Sequence, residues 1–169
     1  MAAKSASTGL SVNESATITL PSEREIRLVR VFNAPRHLVF EAWTNPEHVR
    51  HWWDPSGRPL ASCEIDLRVG GTFRFVNSTP EGPGHVFTGT YREITPPARL
   101  VFGSSDPGGA DSFGTLEFEE RAGRTTLTLT MTAPSKKARD AMLEMRIDAG
   151  TARTLDNLGE YLAKKSPTR

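Results

Sequence analysis

The chain has 169 residues, with 21 basic and 20 acidic side chains and a formal net charge of +1. That length suits one domain with a real core, and charges of both signs without a basic stripe argue against nucleic acid as a partner. A single cysteine, Cys63, excludes an intramolecular disulfide and fits a reducing cytosol, and no apolar run approaches the ~20 residues that span a bilayer.

Residues 1–22 are rich in Ala, Ser and Thr and lack the apolar stretch of a secretory signal, so they read as a disordered tail. Ile26, Leu28, Val31 and Phe32 then predict a strand over residues 24–33, with imperfect alternation near its end. Ala34-Pro35 breaks it, and Pro35 suits the first turn of a helix whose apolar face is Leu38, Val39, Ala42 and Trp43. Asn45-Pro46 restarts a second short helix, with Asn45 as N-cap. That helix carries His48, Val49, His51, Trp52 and Trp53.

From Leu60 to Ala133 the period changes to two. Cys63, Ile65 and Leu67 alternate with charge. Phe73 and Phe75 share one face, as do Phe87, Gly89 and Tyr91. Leu100 with Phe102, Leu116 with Phe118, and Leu127, Leu129 and Met131 continue the pattern. Turn residues separate these runs, among them Gly70-Gly71, Pro96-Pro97 and Ala122-Gly123. The result is six antiparallel strands with one apolar face, seven with the first.

Residues 136–165 return to a helical period. Met142, Met145, Ala149, Ala152, Leu155, Leu158 and Leu162 recur every three or four positions, and Ser135 is placed to cap them. A one-faced antiparallel sheet must be covered, and this is the long amphipathic element left to cover it. The expected architecture is α+β: a curved seven-stranded antiparallel sheet wrapped around a long C-terminal helix, with two short helices after the first strand. The domain spans residues 23–165, and residues 166–169 form a second tail.

Particular residues carry a resemblance beyond this pattern. Asn33-Ala34-Pro35-Arg36, Ala42-Trp43-Thr44-Asn45-Pro46-Glu47-His48 and Trp52-Trp53 resemble the entry motif of the activator of heat-shock-protein-90 ATPase homologue family. That family belongs to the START-like helix-grip superfamily. Asp66-Leu67-Arg68-Val69-Gly70-Gly71-Thr72-Phe73 resembles its second motif. Gly89-Thr90-Tyr91-Arg92-Glu93-Ile94 with Pro96-Pro97-Ala98-Arg99-Leu100 resembles its third. The late run Lys137-Ala138-Arg139-Asp140-Ala141, and Gly150 ahead of Leu155-Asp156-Asn157-Leu158, resembles its C-terminal helix. Two departures stand out. Thr151 occupies a position where many relatives carry Trp, and Arg146 one where others carry a Gly between two helices, which here allows a more continuous helix.

The resemblance implies a cavity between the long helix and the sheet, and no shared catalytic constellation. The expected function is binding of an apolar small molecule, with Trp52, Phe73, Phe75, Phe87, Tyr91, Phe102, Met142, Met145, Thr151, Leu155 and Leu158 as ligand-binding residues. Two alternatives stand beside it: a co-chaperone-like module contacting a heat-shock-protein-90-type chaperone in a stress response, and a cofactor-free cyclase- or hydrolase-like enzyme using the same cavity. Binding is favoured over catalysis, and no catalytic residue, cofactor or metal is assigned. The expected setting is cytoplasmic, as a monomer or weak homodimer.

Other features have plainer readings. His48 and His51, three apart, lack a third metal ligand at motif spacing and read as exposed helix histidines. His85 reads as a loop histidine, though an inward position would suit an acid or base. Arg68 and Arg74 read as surface ion-pair partners. Gly70-Gly71 is followed by a strand rather than a helix, so it is a tight turn and not a phosphate loop.

Overall fold

The computed structural model of the protein describes residues 16–104 and 111–165. Its elements are β1 (Thr17–Thr19), β2 (Glu25–Phe32), α1 (Arg36–Thr44), α2 (Pro46–Trp52), β3 (Ser62–Ile65), β4 (Thr72–Thr79), β5 (Gly82–Thr95), β6 (Arg99–Gly103), β7 (Phe113–Arg121), β8 (Arg124–Thr132), α3 (Lys136–Glu144) and α4 (Ile147–Lys165). The described strands form one sheet in the order β1-β2-β8-β7-β6-β5-β4-β3, antiparallel throughout. From β3 to β8 the chain is a meander. The α1–α2 pair carries it from β2 to the far edge before the meander begins.

The sheet bends because its longest strand is irregular. Register shifts fall between Val76 and Ser78 on β4 and between Tyr91 and Glu93 on β5, and such bulges curl a sheet. Close approach also needs missing side chains. A Cβ on Gly89 would collide with Phe73 Cζ, and one on Gly114 would lie 2.9 Å from Phe102 Cζ. These two glycines leave room for aromatic rings from neighbouring strands on the inner face.

Into this concave face α4 lays Leu155, Leu158 and Leu162, all buried. Their burial contributes roughly 5–9 kcal/mol as an upper figure. They meet Ile26, Leu28, Leu116 and Leu127, none of which is exposed at all. The expected caps form: the Asn45 side chain accepts from the Glu47 N–H at 2.9 Å, and Ser135 Oγ accepts from the Ala138 N–H at 3.0 Å. No described helix is long and apolar enough to cross a membrane.

Two expectations are corrected. The sheet has eight described strands rather than seven, because Thr17–Thr19, inside the segment expected to be a tail, pairs with Leu28 and its neighbours. Three exposed residues on an edge, with Ile18 alone apolar among them, are too short a run to show a hydrophobic period; residues 1–15 and 166–169 lie outside the described ones. The C-terminal segment is two helices, not one continuous helix, broken where Arg146 takes φ 62°. A further feature of the first long strand is Arg30, buried with only 5% exposure on a strand face otherwise apolar. It forms an ion pair with Asp156 of α4, and that inward charge is the imperfection in the alternation of the first strand.

Candidate functional site

Between α3–α4 and the sheet lies a partly open cavity of about 510 Å³. Its sheet wall is Phe87 of β5, Phe102 of β6, Gly114 of β7, and Leu129 and Met131 of β8. The helical wall is Met142 of α3, and Ile147, Gly150, Thr151 and Leu155 of α4. Trp43 of α1 and Trp53, just after α2, close one end. The volume falls in the range of small-molecule pockets, roughly 300–1,000 Å³.

The tryptophans are held in place from several sides. Trp43 packs edge-on against Trp52 at 4.8 Å and against Trp53 at 6.0 Å. Trp53 in turn meets Phe75 at 4.9 Å and Phe87 at 5.2 Å. Two hydrogen bonds fix the segment beneath α4: Thr154 Oγ1 donates to the Trp53 carbonyl at 3.1 Å, and Asn157 Nδ2 to the Asp54 carbonyl at 2.9 Å. These pairings explain why polar residues sit on the inward side of α4.

The aromatic wedge divides the interior. Trp43, Trp53, Phe87 and Phe102 border both the large cavity and a second space of about 20 Å³, lined by Phe73, Phe75 and Tyr91. A space that small holds one water at most. Of the residues expected at a ligand, Phe87, Phe102, Met142, Thr151 and Leu155 border the large cavity. Phe73, Phe75 and Tyr91 share the correct face but are sealed behind the wedge. Trp52 is core at 1% exposure, with its Nε1 donating to the Ala42 carbonyl at 3.2 Å. Leu158 is fully buried, and Met145, just before the helix break at Arg146, is 69% exposed and does not border the cavity. Trp43, Trp53, Leu129 and Met131 were not expected on the wall. The inward parity of β8 marked the last two, and no periodic signal marked Trp53.

The other singled-out residues find ordinary partners. Arg68 pairs with Asp66 at 3.0 Å. His48 Nδ1 lies 2.5 Å from the Tyr161 hydroxyl, and the His51 ring stacks on Tyr161 at 5.7 Å. Among the described residues no group of three His, Cys, Asp or Glu side chains could hold a metal ion. Gly70 takes φ 87°, as a tight turn requires. His85 and Asn77 border the cavity, whereas Arg74 does not.

Burial displaces two protonation equilibria near the aromatic cluster. The half-buried Cys63 thiol is raised from 9.0 to about 11 by desolvation, partly opposed by Arg50 and reinforced by Glu47 and Glu64. The Tyr91 hydroxyl is pushed up mainly by burial, with Cys63 adding to it. Both shifts favour the neutral form, the opposite of what an activated nucleophile needs.

A helix pair after the first long strand of a curled antiparallel sheet, gripping a C-terminal helix over an apolar cavity, defines a helix-grip domain. Residues 33–163 match the family described as activator of Hsp90 ATPase homolog 1-like protein, and the chain belongs to it. A crystal structure from Nitrosomonas europaea is 26% identical, with a TM-score of 0.79 over 87% of this chain and 99% of that one. One from Rhodobacter sphaeroides is 26% identical, with a TM-score of 0.78 over 88% and 98%. The solution structure of an AHSA1-like protein from Aeromonas hydrophila shares the fold at 23% identity, with a TM-score of 0.67 over 83% and 94%. No match was found among curated proteins.

Proposed function

We propose that the domain binds an apolar small molecule in the cavity between α3–α4 and the sheet. The observation that carries this reading is the cavity itself: about 510 Å³ with a mainly apolar wall. A core without a function is normally packed to the density of an organic crystal. Two positions on α4 help keep the space open. A methyl placed on Gly150 would meet nothing within 4 Å, and the neighbouring Thr151 is small. The lone, half-buried Cys63 suits a cytosolic setting, where the domain would act as a monomer or weak homodimer.

The test is a fluorescence titration with the neutral probe N-phenyl-naphthylamine. Saturable, micromolar-range binding is expected, with a rise in Tm by linkage, about 2.7 kcal/mol at a hundredfold excess over Kd. Thr151→Trp should weaken binding about tenfold or more while the far-UV spectrum stays unchanged. Absence of saturable binding would overturn the reading, and unchanged affinity in Thr151→Trp would overturn its location. Contact with a chaperone then moves ahead. Its supporting observation is Leu67 and Val69, 43% and 62% exposed in the turn between β3 and β4.

A further inference from the structure

The cavity wall carries information about the ligand's chemistry, an inference that rests on the binding reading above. Among the described residues bordering the cavity, Arg146 is the one with a permanent charge, and none is a carboxylate. Glu144 and Asp148, two positions to either side, do not border it. The Arg146 side chain is exposed and has no ion pair or hydrogen bond with another described residue. It therefore stands at the rim of an apolar space as an unmatched positive charge.

The backbone makes its identity more telling. Arg146 has φ 62°, in the left-handed region between α3 and α4. A side chain there carries a steric penalty that glycine avoids. Strain tolerated at a cavity rim is an outlier from which a functional role is properly argued.

A second observation is independent of it. Trp43 is 6% exposed, and its Nε1 is buried without a hydrogen-bond partner among the described residues. Trp43 borders the same cavity. A buried donor left unpaired is unfavourable, and an acceptor atom on a bound molecule removes that penalty. A permanent cation on the wall with no carboxylate beside it selects an anion, and the unpartnered indole N–H of a wall residue is in keeping with a ligand that carries acceptor atoms.

We propose that the ligand is an apolar organic anion, an aromatic or alicyclic body bearing a carboxylate or sulfonate, with its acid group paired to Arg146 at the rim. The apolar body lies against Phe87, Phe102, Met142 and Leu155. The guanidinium offers a planar fork that matches such oxyanions.

The experiment compares two probes sharing one aromatic body: anilinonaphthalene sulfonate and the neutral N-phenyl-naphthylamine. Wild-type protein should bind the sulfonate roughly fivefold more tightly at low salt, the preference expected of a rim-exposed ion pair. Arg146→Gly suits the left-handed backbone, so its fold is retained. It should abolish the preference, bringing the sulfonate and the neutral probe to equal affinity. Arg146→Lys should keep most of it. Equal affinities in the wild type, or a preference that survives Arg146→Gly, would overturn the assignment while cavity binding stands. If neither probe binds, the binding reading itself falls and this inference with it.

Discussion

Arg30 of β2 and Asp156 of α4 form an ion pair across the helix–sheet interface, with the arginine side chain 6% and the aspartate 30% exposed. The fold is shaped around it. The Arg30 guanidinium lies 5.4 Å from the Phe32 ring, and a Cβ on Gly159 would come within 2.8 Å of Arg30 Nη2. A glycine one turn after Asp156 thus leaves room for a charged group under the helix.

Removing one partner leaves the other charge buried, which costs more than losing both. Asp156→Ala should therefore destabilise the fold by about 2 kcal/mol, a figure kept low because the carboxylate is partly exposed. The double variant Arg30→Met with Asp156→Leu should recover most of that loss. Urea unfolding midpoints at constant m-value check both. Equal destabilisation in the single and double variants would show that shape, not charge, is what matters here.

The cavity depends on a ring lying over a glycine. Gly114→Ala would place a methyl within 2.9 Å of Phe102 Cζ and force the ring inward, toward the space it borders. Overpacking of this kind costs roughly 1–3 kcal/mol. The expected outcome is a lower Tm together with weaker binding of N-phenyl-naphthylamine. A lower Tm with unchanged binding would place the probe elsewhere.

Cys63 supplies a pH-dependent prediction. Its folded pKa, about 11, lies above the ordinary 9.0. The sign follows from linkage: a raised folded pKa contributes stability that is full below pH 9 and lost as pH rises through about 11. Near pH 8 the folded thiol should react with a disulfide reagent about a hundredfold more slowly than in urea, following the difference in thiolate fraction. Comparable rates in the two states would contradict the burial argument.

The sheet was legible because its strands alternate. Parity puts Phe73, Phe75, Phe87, Tyr91 and Phe102 on one face, and each lies on the inner face. Parity cannot say which inward residues meet empty space, because that depends on a side chain arriving from another element. Here Trp53 fills the gap and seals three of the five aromatics away. Residues Thr17–Thr19 were missed because backbone pairing at an edge needs no hydrophobic period. The break at Arg146 was missed because arginine favours helix continuation and rarely adopts positive φ. Arg30 was missed because its partner lies 126 residues away.

Nuclear Overhauser effects between bound N-phenyl-naphthylamine and the protein's methyl and ring protons test the central claim most directly. The account predicts contacts from the probe to Met142, Leu155 and the Phe102 ring, and none to Met145, although Met142 and Met145 are three residues apart in sequence. Saturable binding with contacts to Leu67 and Val69 instead, or to Met145, would contradict it.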